Sequence, residues 1–550
     1  MKKKLNRAIV VLLCALMVIS LVACSTTPAT SGDPSSSPNV SDPATSQPGP
    51  SDEIPANQEK MTISIASWNI QDAFEDPNAP NDEIYKLLCE KLNIEIEPVQ
   101  ITWNDWEEKV KIWAASEQLP DMFANALGSE LYKKWAQQKV IKALPDDLSA
   151  YPNVEAYMAL GSVQPLRVDG KFYAFPRGDS IIGETKNAGS DRLIYYRKDW
   201  AADAGFTTAP DTFAGYIEMC EAVQALHPEA TPIAVNNRDA LNYLAVDIEP
   251  CFIDLPAWKF QNDQWVPAFM TDKGIEIIER FQGLFTKGLL DQDFAVQKDG
   301  DAVTKYLSGR AFSLVRNMMG ADQMVQFMDA NPDVSNLTDA IGIIPTLKMD
   351  DGSSYYFAST PYWSETYFSY KIDDAKMDRC LQLLDYMCSD EFVVLKNNGI
   401  EGIDWEMQGD KPVSLLSGDT TLKSKYPIGA EFGYFAAWNN EYRFSKMAVV
   451  DSNPQIAAIN EQNRLVNEQF LAQSKPIPTN FNVYLMDNEL KAKNNGILGS
   501  NFMDGMVNII VGKGNVTEAY GKLIDELNAQ GLQEMINAVT NQATEEGIQP

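Results

Sequence analysis

Alternation of apolar and polar side chains opens the folded part of the chain. Thr62-Ile-Ser-Ile-Ala66 alternates with the period of two expected of a half-exposed strand. Asn81-Asp-Glu then offers an N-cap to a helix whose apolar face is Ile84, Leu87, Leu88 and Leu92, and Ile94-Glu-Ile-Glu alternates again. Strand, helix and strand in this short space predict a βαβ unit, hence parallel strands and a right-handed crossover. A further helix, with Trp106, Val110 and Trp113 on one face, leads to Leu119-Pro-Asp-Met-Phe-Ala-Asn125. The pattern repeats with a helix over 129–138 and the segment Val140-Ile-Lys-Ala-Leu144. In doubly wound sheets ligands sit beyond the carboxyl ends of the strands. That rule places Ser67-Trp68-Asn69, Thr102-Trp103-Asn104-Asp105 and Ala124-Asn125 on one rim.

The middle of the chain carries a different signal. Asp169-Gly170 is a turn dipeptide, and the run from Phe172 to Phe175 reads as a strand ending at Pro176. Leu193-Ile-Tyr-Tyr-Arg197 is a second strand, with a helix starting near Lys198-Asp199. The join over 178–190 is polar, and Gly178, Gly183 and Gly189 suit it to a hinge or a small flap. Arg177 and Asp179 at its start can grip a ligand or hold the hinge. Further on, Ile275, Ile278, Phe281 and Phe285 mark an amphipathic helix. The strands Ala311-Phe-Ser-Leu-Val315 and Ala340-Ile-Gly-Ile-Ile344 bracket a polar connection at Arg316-Asn317.

At 550 residues the chain exceeds what one core usually supports, so two domains are expected. The N-terminus is not part of them. Met1 to Arg7 is basic, Ala8 to Ala23 is apolar, and Leu21-Val22-Ala23-Cys24 resembles the bacterial lipobox. Residues 1–23 therefore read as a signal peptide, with Cys24 as the lipid attachment site. From 24 to 60 the chain is Ser, Thr, Pro, Asp and Gly with almost no large apolar residue, a disordered tether of roughly 35 Å mean span. After residue 24 no apolar run is long enough to span a bilayer. The expected location is the extracellular face of the cytoplasmic membrane, held by lipid alone.

Loss of Lys2, Lys3, Lys4 and Arg7 with the signal peptide takes the formal charge from −31 to −35. Nucleic acid and anionic lipid surfaces would repel such a body, and a polyanionic ligand would need a local basic pocket. Five cysteines remain after Cys14 and Cys24 are set aside: Cys89, Cys220, Cys251, Cys380 and Cys388. An odd number with no CxxC suggests buried thiols instead of a disulfide framework.

Enzyme chemistry finds little support. His227, before Pro228, is the only histidine, which removes His-dependent nucleophilic mechanisms and His-based zinc sites. Gly512-Lys-Gly514 lacks P-loop spacing. Paired carboxylates could serve a glycosidase, but among 76 acidic residues such pairs carry no information. No cofactor is expected. Calcium is an open possibility at the loop holding Asp72, Glu75, Asp76, Asn78, Asn81, Asp82 and Glu83, although the EF-hand glycine is missing and acids at helix starts suit the helix dipole.

Sugar binding has positive signals. Pyranose C–H faces pack on aromatic rings, while hydroxyls need planar donors and acceptors. Trp68, Trp103, Tyr362-Trp363, Trp405 and Trp438 fall in polar loops, whereas Trp113, Trp135 and Trp200 lie at helical spacing and read as packing. Polar candidates beside the loop aromatics are Asn69, Asp105, Asn125, Arg177, Asp179, Arg316 and Asn317.

An ordered set of motifs ties these readings together. Leu119-Pro-Asp121, Asp169-Gly-Lys-Phe-Tyr-Ala-Phe-Pro176, Tyr196-Arg-Lys-Asp-Trp200 with Ala204-Gly205, and Ala209-Pro-Asp-Thr-Phe213 come first. Lys287-Gly-Leu-Leu-Asp-Gln-Asp-Phe294, Leu307-Ser-Gly-Arg-Ala311, Asn398-Gly-Ile-Glu-Gly-Ile-Asp-Trp405 and the tail Val516 to Gly531 follow. In this order they resemble the family 1 extracellular solute-binding proteins of ABC transporters, in the oligosaccharide-binding lipoprotein branch of Gram-positive bacteria. The resemblance covers essentially everything after residue 60. It implies an α/β, two-lobed periplasmic-binding-protein-like fold with discontinuous lobes, a hinge and an interlobe ligand cleft. It further implies crossings at Arg316-Asn317 and near Tyr370-Lys371, so that the N-terminal lobe is 61–180 plus 318–372 and the C-terminal lobe is 181–317 plus 373–550. The implied function is non-enzymatic capture of an oligosaccharide by a monomer, for delivery to membrane permease subunits. A secreted glycan hydrolase, a sensor that passes closure to a membrane kinase, and a receptor for peptide or another polar solute are the alternatives.

Overall fold

Two sheets, each wrapped by helices, organise the chain. The first contains β1 (Met61–Ala66), β2 (Ile94–Pro98), β3 (Met122–Asn125) and β4 (Ala174–Arg177); the second contains β5 (Leu193–Arg197), β6 (Thr231–Val235), β7 (Ala311–Arg316) and β8 (Ile341–Ile344). A later strand, β9 (Ser364–Phe368), returns to the first sheet and gives it the order β2-β1-β3-β9-β4. The second sheet runs β8-β5-β7-β6. This computed structural model describes residues 59–103, 105–178, 193–236, 238–250, 257–298, 300–356, 362, 364–417, 420–437, 442, 445–476, 481–482, 490, 493–545 and 547–548. Cys24, Asp179, Cys251, Trp363 and Trp438, along with the tether and most of the expected hinge, lie outside them.

The expected βαβ opening is present. β1 pairs in parallel with β2, Ile63 opposite Ile96, and with β3, Ala66 opposite Phe123. Helix α1 (Ile70–Glu75) follows β1, and α2 (Glu83–Leu92) buries Ile84, Leu88 and Leu92 while Leu87 stays exposed. Helix α3 (Trp106–Ala115) leads into β3. The segment Val140–Leu144 makes an isolated bridge from Ile141 to Ser369 and not a strand. Asp169 and Gly170 both take positive φ, 50° and 80°, in a turn closed by Val168 and Lys171. It feeds β4, which pairs antiparallel with β9.

Each sheet has its own apolar core. One gathers Ile63, Phe123, Phe175, Tyr367, Leu384 and Phe435. The second sheet is covered on its two faces, by a cluster around Tyr216, Phe281 and Met506 and by another around Tyr195, Tyr306 and Phe327. Full burial of one such side chain stabilises by about 1.5–3 kcal/mol. Cys220, Cys380 and Cys388 are buried in these cores as free thiols, and Cys89 is half-buried. Burial pushes the Cys89 thiol up to about 11.

The crossings differ from those the resemblance implies. The chain does not leave the second sheet at Arg316-Asn317, because Met318, Met319, Met324 and Phe327 pack in its core and β8 pairs antiparallel with β5. The polarity there belongs to a strand end, where the Arg316 Nε donates to the Asn317 carbonyl at 2.9 Å and Nη2 to its Oδ1 at 3.0 Å. Residues 318–347 therefore join the second core instead of the first. The third crossing likewise falls after 436 and not near Tyr370-Lys371. Helices α4 (Asp374–Met387) and α5 (Asp390–Asn398) supply Cys380, Leu384 and Phe392 to the first core. Helices α6 (Leu422–Lys425) and α7 (Pro427–Phe432) follow, with Ile428 and Phe432 in the same core. The second core is rejoined by Ile456 and Ile459 of α8 (Pro454–Gln473).

One carboxylate fixes the return of the chain to the first core. Asp82 is fully buried, and its Oδ1 accepts from the Tyr85 N–H at 2.9 Å, capping α2. Its Oδ2 accepts from Ile428 N at 2.8 Å and Gly429 N at 2.9 Å, the first turn of α7. A side chain on Gly429 would sit 2.7 Å from the Ile84 Cβ, so only glycine permits this approach of α7 to α2. Replacing Asp82 by Asn turns an amide N–H₂ toward N–H donors on one side. Asp82→Asn is expected to cost about 2–3 kcal/mol, read as a lower midpoint of chemical denaturation.

Candidate ligand-binding site

The loops that follow the strands of the first sheet meet α6 and α7. Ser67, Trp68 and Asn69 leave β1, Trp103 follows β2, and Arg177 ends β4. With Lys423, Glu431 and Tyr434 they line a cavity of about 130 Å³. Lys423, Glu431 and Tyr434 also face a larger cavity of about 350 Å³. That cavity has Met318, Met319 and Asp322 of the second core region on one side, and Lys396, Asn398 and Tyr442 on the other. The site thus draws side chains from both cores.

Aromatic rings build its inner wall. Trp68 stacks on Trp103 with centroids 4.8 Å apart and planes 18° apart, and meets the edge of Trp106 at 5.6 Å. Trp68 itself is only 2% exposed, so it backs the wall, while half-buried Trp103 faces the cavity. The Arg177 guanidinium lies 4.8 Å from the Trp68 ring centre, a cation–π contact. Fully buried, it donates from Nη1 to Ser364 Oγ at 2.7 Å and from Nε to the Tyr434 carbonyl. Burial pulls the Arg177 pKa down to about 9, with Glu365 and Tyr434 acting the other way. Of its two candidate jobs, this geometry assigns Arg177 the structural one: it braces β4 against β9, Trp68 and the segment after α7.

The polar wall comes from α6 and α7. Asp82 and Gly429 hold α7 against α2, and two residues on, Glu431 is turned inward, 2% exposed. Its Oε1 is 3.0 Å from Lys423 Nζ. Burial works against the Lys423 charge, but Glu431 in contact with it holds the lysine pKa above its usual value. Lys396 reaches from α5 to lie 4.3 Å over the Tyr434 ring.

Several expected residues lie elsewhere. Asp105 accepts from Thr102 N at 2.7 Å and pairs with Lys109 at 2.8 Å, so it closes the turn before α3. Asn125 is buried and donates to the Trp106 carbonyl at 3.3 Å. Arg316 and Asn317 bond to each other, one residue before Met318 at the larger cavity. Tyr362 is buried in the first core. Trp405 is buried too, its indole N–H donating to the Gly399 carbonyl at 3.1 Å. His227 stacks on Trp200 at 4.0 Å, away from either cavity. In the acidic loop both oxygens of Asp82 accept backbone N–H groups, and Asp76 accepts from Asn78 N. Among the described residues no group of three or more His, Cys, Asp or Glu side chains could hold a metal ion.

The residues missed were Lys423, Glu431, Tyr434, Lys396 and Asn398. A signal was available for one of them. Between Tyr426 and Ala437, in Tyr-Pro-Ile-Gly-Ala-Glu-Phe-Gly-Tyr-Phe-Ala-Ala, Glu431 is the only charge in an otherwise apolar run.

The folding pattern has close counterparts among solved structures. The alginate-binding protein AlgQ2 superimposes with a TM-score of 0.65 at 14% identity, covering 88% of this chain and 98% of that one. The Streptococcus pneumoniae ABC-transporter substrate-binding protein FusA, in complex with fructo-nystose, gives 0.64 at 17% identity, covering 89% and 100%. This chain has the fold of the ABC-transporter solute-binding proteins. Two Bacillus subtilis proteins are similar to this chain in sequence. Lipoprotein LipO is 21% identical over 419 residues, 72% of this chain and 80% of its own length. The polygalacturonan/rhamnogalacturonan-binding protein YtcQ is 23% identical over 344 residues, 60% of this chain and 65% of its own. No family model matches.

The bracing by Arg177 can be checked directly. Lysine keeps the charge but lacks the fork that reaches Ser364 and Tyr434 together. Arg177→Lys is expected to cost about 2–3 kcal/mol in chemical denaturation, and an unshifted transition would remove Arg177 from this role.

Proposed function

We propose that the chain is an oligosaccharide receptor of an ABC importer. The observation that carries this reading is the Trp68–Trp103 stack, which presents one indole to a cavity whose other wall is polar. A pyranose ring offers complementary faces, C–H groups for the indole and hydroxyls for the polar wall. The ligands named for similar proteins (alginate, fructo-nystose and polygalacturonan) support the same class. Contacts from both walls would favour a closed state by differential affinity. Closed receptor would then dock on permease subunits that are separate polypeptides.

The reading is tested by calorimetric titration of the protein lacking residues 1–24 with a panel of oligosaccharides. Binding tighter than about 1 mM is expected, with Trp103→Ala weakening it roughly 10-fold or more and leaving the melting temperature within a few degrees. Binding of a peptide and of no sugar would sink the assignment. Product release from the same panel would replace it by a hydrolase.

The lipid anchor at Cys24 belongs to the same proposal. Among the described residues no helix is long and apolar enough to cross a membrane. One diacylglyceryl group would retain the protein at the membrane surface. Cys24→Ala is expected to move the protein from the membrane fraction to the culture medium, measured by immunoblotting of both.

A further inference from the structure

Two oxygens in the inner cavity are fully buried and meet no hydrogen-bond donor among the described residues: Glu431 Oε2 and Ser67 Oγ. A third, Asn398 Oδ1, stands in the same condition in the larger cavity. Their residues are 2%, 0% and 1% exposed. A buried polar atom without a partner carries a desolvation cost that a correctly placed donor removes. Glu431 is the strongest of the three. An ionised carboxylate is acceptor-only, and the contact of Lys423 Nζ with Oε1 leaves Oε2 open to a donor.

The charges around the site decide which donor. Among the described residues three cations face the two cavities: Arg177, Lys396 and Lys423. Each is already engaged, Arg177 by Ser364 and the Tyr434 carbonyl, Lys396 over the Tyr434 ring, and Lys423 by Glu431. Asp322 and Glu431 add negative charge to the lining, and Glu365 stands near Arg177. Among the described residues no surplus cation is set out along the cavities to meet a charge on every ring of a polyuronate, and the whole chain carries −31. A uronate carboxylate placed at Glu431 would bring two acceptors and two like charges together in a desolvated site.

We infer that the inner subsite takes a neutral sugar unit, one hydroxyl of which donates to Glu431 Oε2, and that Glu431 makes the receptor discriminate against uronic acids. This inference rests on the sugar-binding reading and narrows it. Ser67 Oγ, on the same cavity, serves as a second hydroxyl partner.

The test compares neutral oligosaccharides (kestose, nystose and a mannose-containing glycan fragment) with oligogalacturonates of matched length, by calorimetry on the protein without residues 1–24. Wild type is expected to bind one of the neutral sugars at least 10-fold more tightly than any oligogalacturonate. Glu431→Gln keeps the size but loses the charge, and is expected to narrow that ratio by about 10-fold or more, by weakening neutral binding, improving uronate binding, or both. A merely structural Glu431 would weaken both ligand classes alike. Ser67→Ala, which leaves Glu431 and its lysine intact, is expected to weaken neutral binding several-fold, and unchanged neutral binding would remove that contact; the wild-type comparison decides the inference even if Glu431→Gln melts early. Oligogalacturonate binding as tight as neutral binding in wild type overturns the inference while leaving the sugar-binding reading in place. Binding of no sugar at all overturns both.

Discussion

The buried carboxylate of Asp82 is the constraint on which the site depends. One oxygen caps the start of α2 and the other the start of α7, two helices separated by more than 300 residues of chain. Water is excluded from all three hydrogen bonds, since Asp82 has no exposed surface. Charge-assisted bonds in such surroundings are strong and directional. They fix the azimuth of a six-residue helix that is too short to be stable alone. Glu431 inherits its inward orientation from that tie, and Tyr434 its carbonyl contact with Arg177.

Around this anchor the site divides into a brace and a face. Arg177, Trp68 and Ser364 form the brace, buried and mutually bonded; Trp103, Ser67, Glu431 and Lys423 form the face. The division explains why an arginine at the end of a strand can look like a ligand contact from sequence and act as a strut. Its planar fork serves either role, and only the identity of the acceptors distinguishes them. Here the acceptors are a serine hydroxyl and a main-chain carbonyl of the protein itself.

Much of the fold was legible because periodicity is local. The period-two runs at 62–66 and 94–97 and the helix between them are strand, helix and strand, and the rim they imply does carry Ser67, Trp68 and Trp103. Asp105, Asn125 and Trp405 were candidates by loop position too, yet are spent on closing a turn and on donating to main-chain carbonyls. Loop position alone cannot separate these uses, because turn closure and ligand contact call for the same residue types. The crossings were illegible for a related reason. Arg316-Asn317 is polar as a strand end on the surface is polar, and the burial of Met318 and Met319 next to it depends on a distant partner, Tyr195, whose hydroxyl accepts from Met319 N at 3.0 Å. Lys396, Lys423 and Tyr434 owe their place to the third dimension as well.

The order of strands in the first sheet bears on how the protein comes into being. β9 lies between β3 and β4, yet it is synthesised after the whole of the second sheet. A chain emerging amino end first therefore holds β4 without a ladder partner, and β3 with one open edge, until residue 368 has appeared. Unpaired edges of this kind recruit strands from other chains. The long sequence separation of the final pairing also makes it slow. Assembly of the first sheet is thus a closing step and not an opening one.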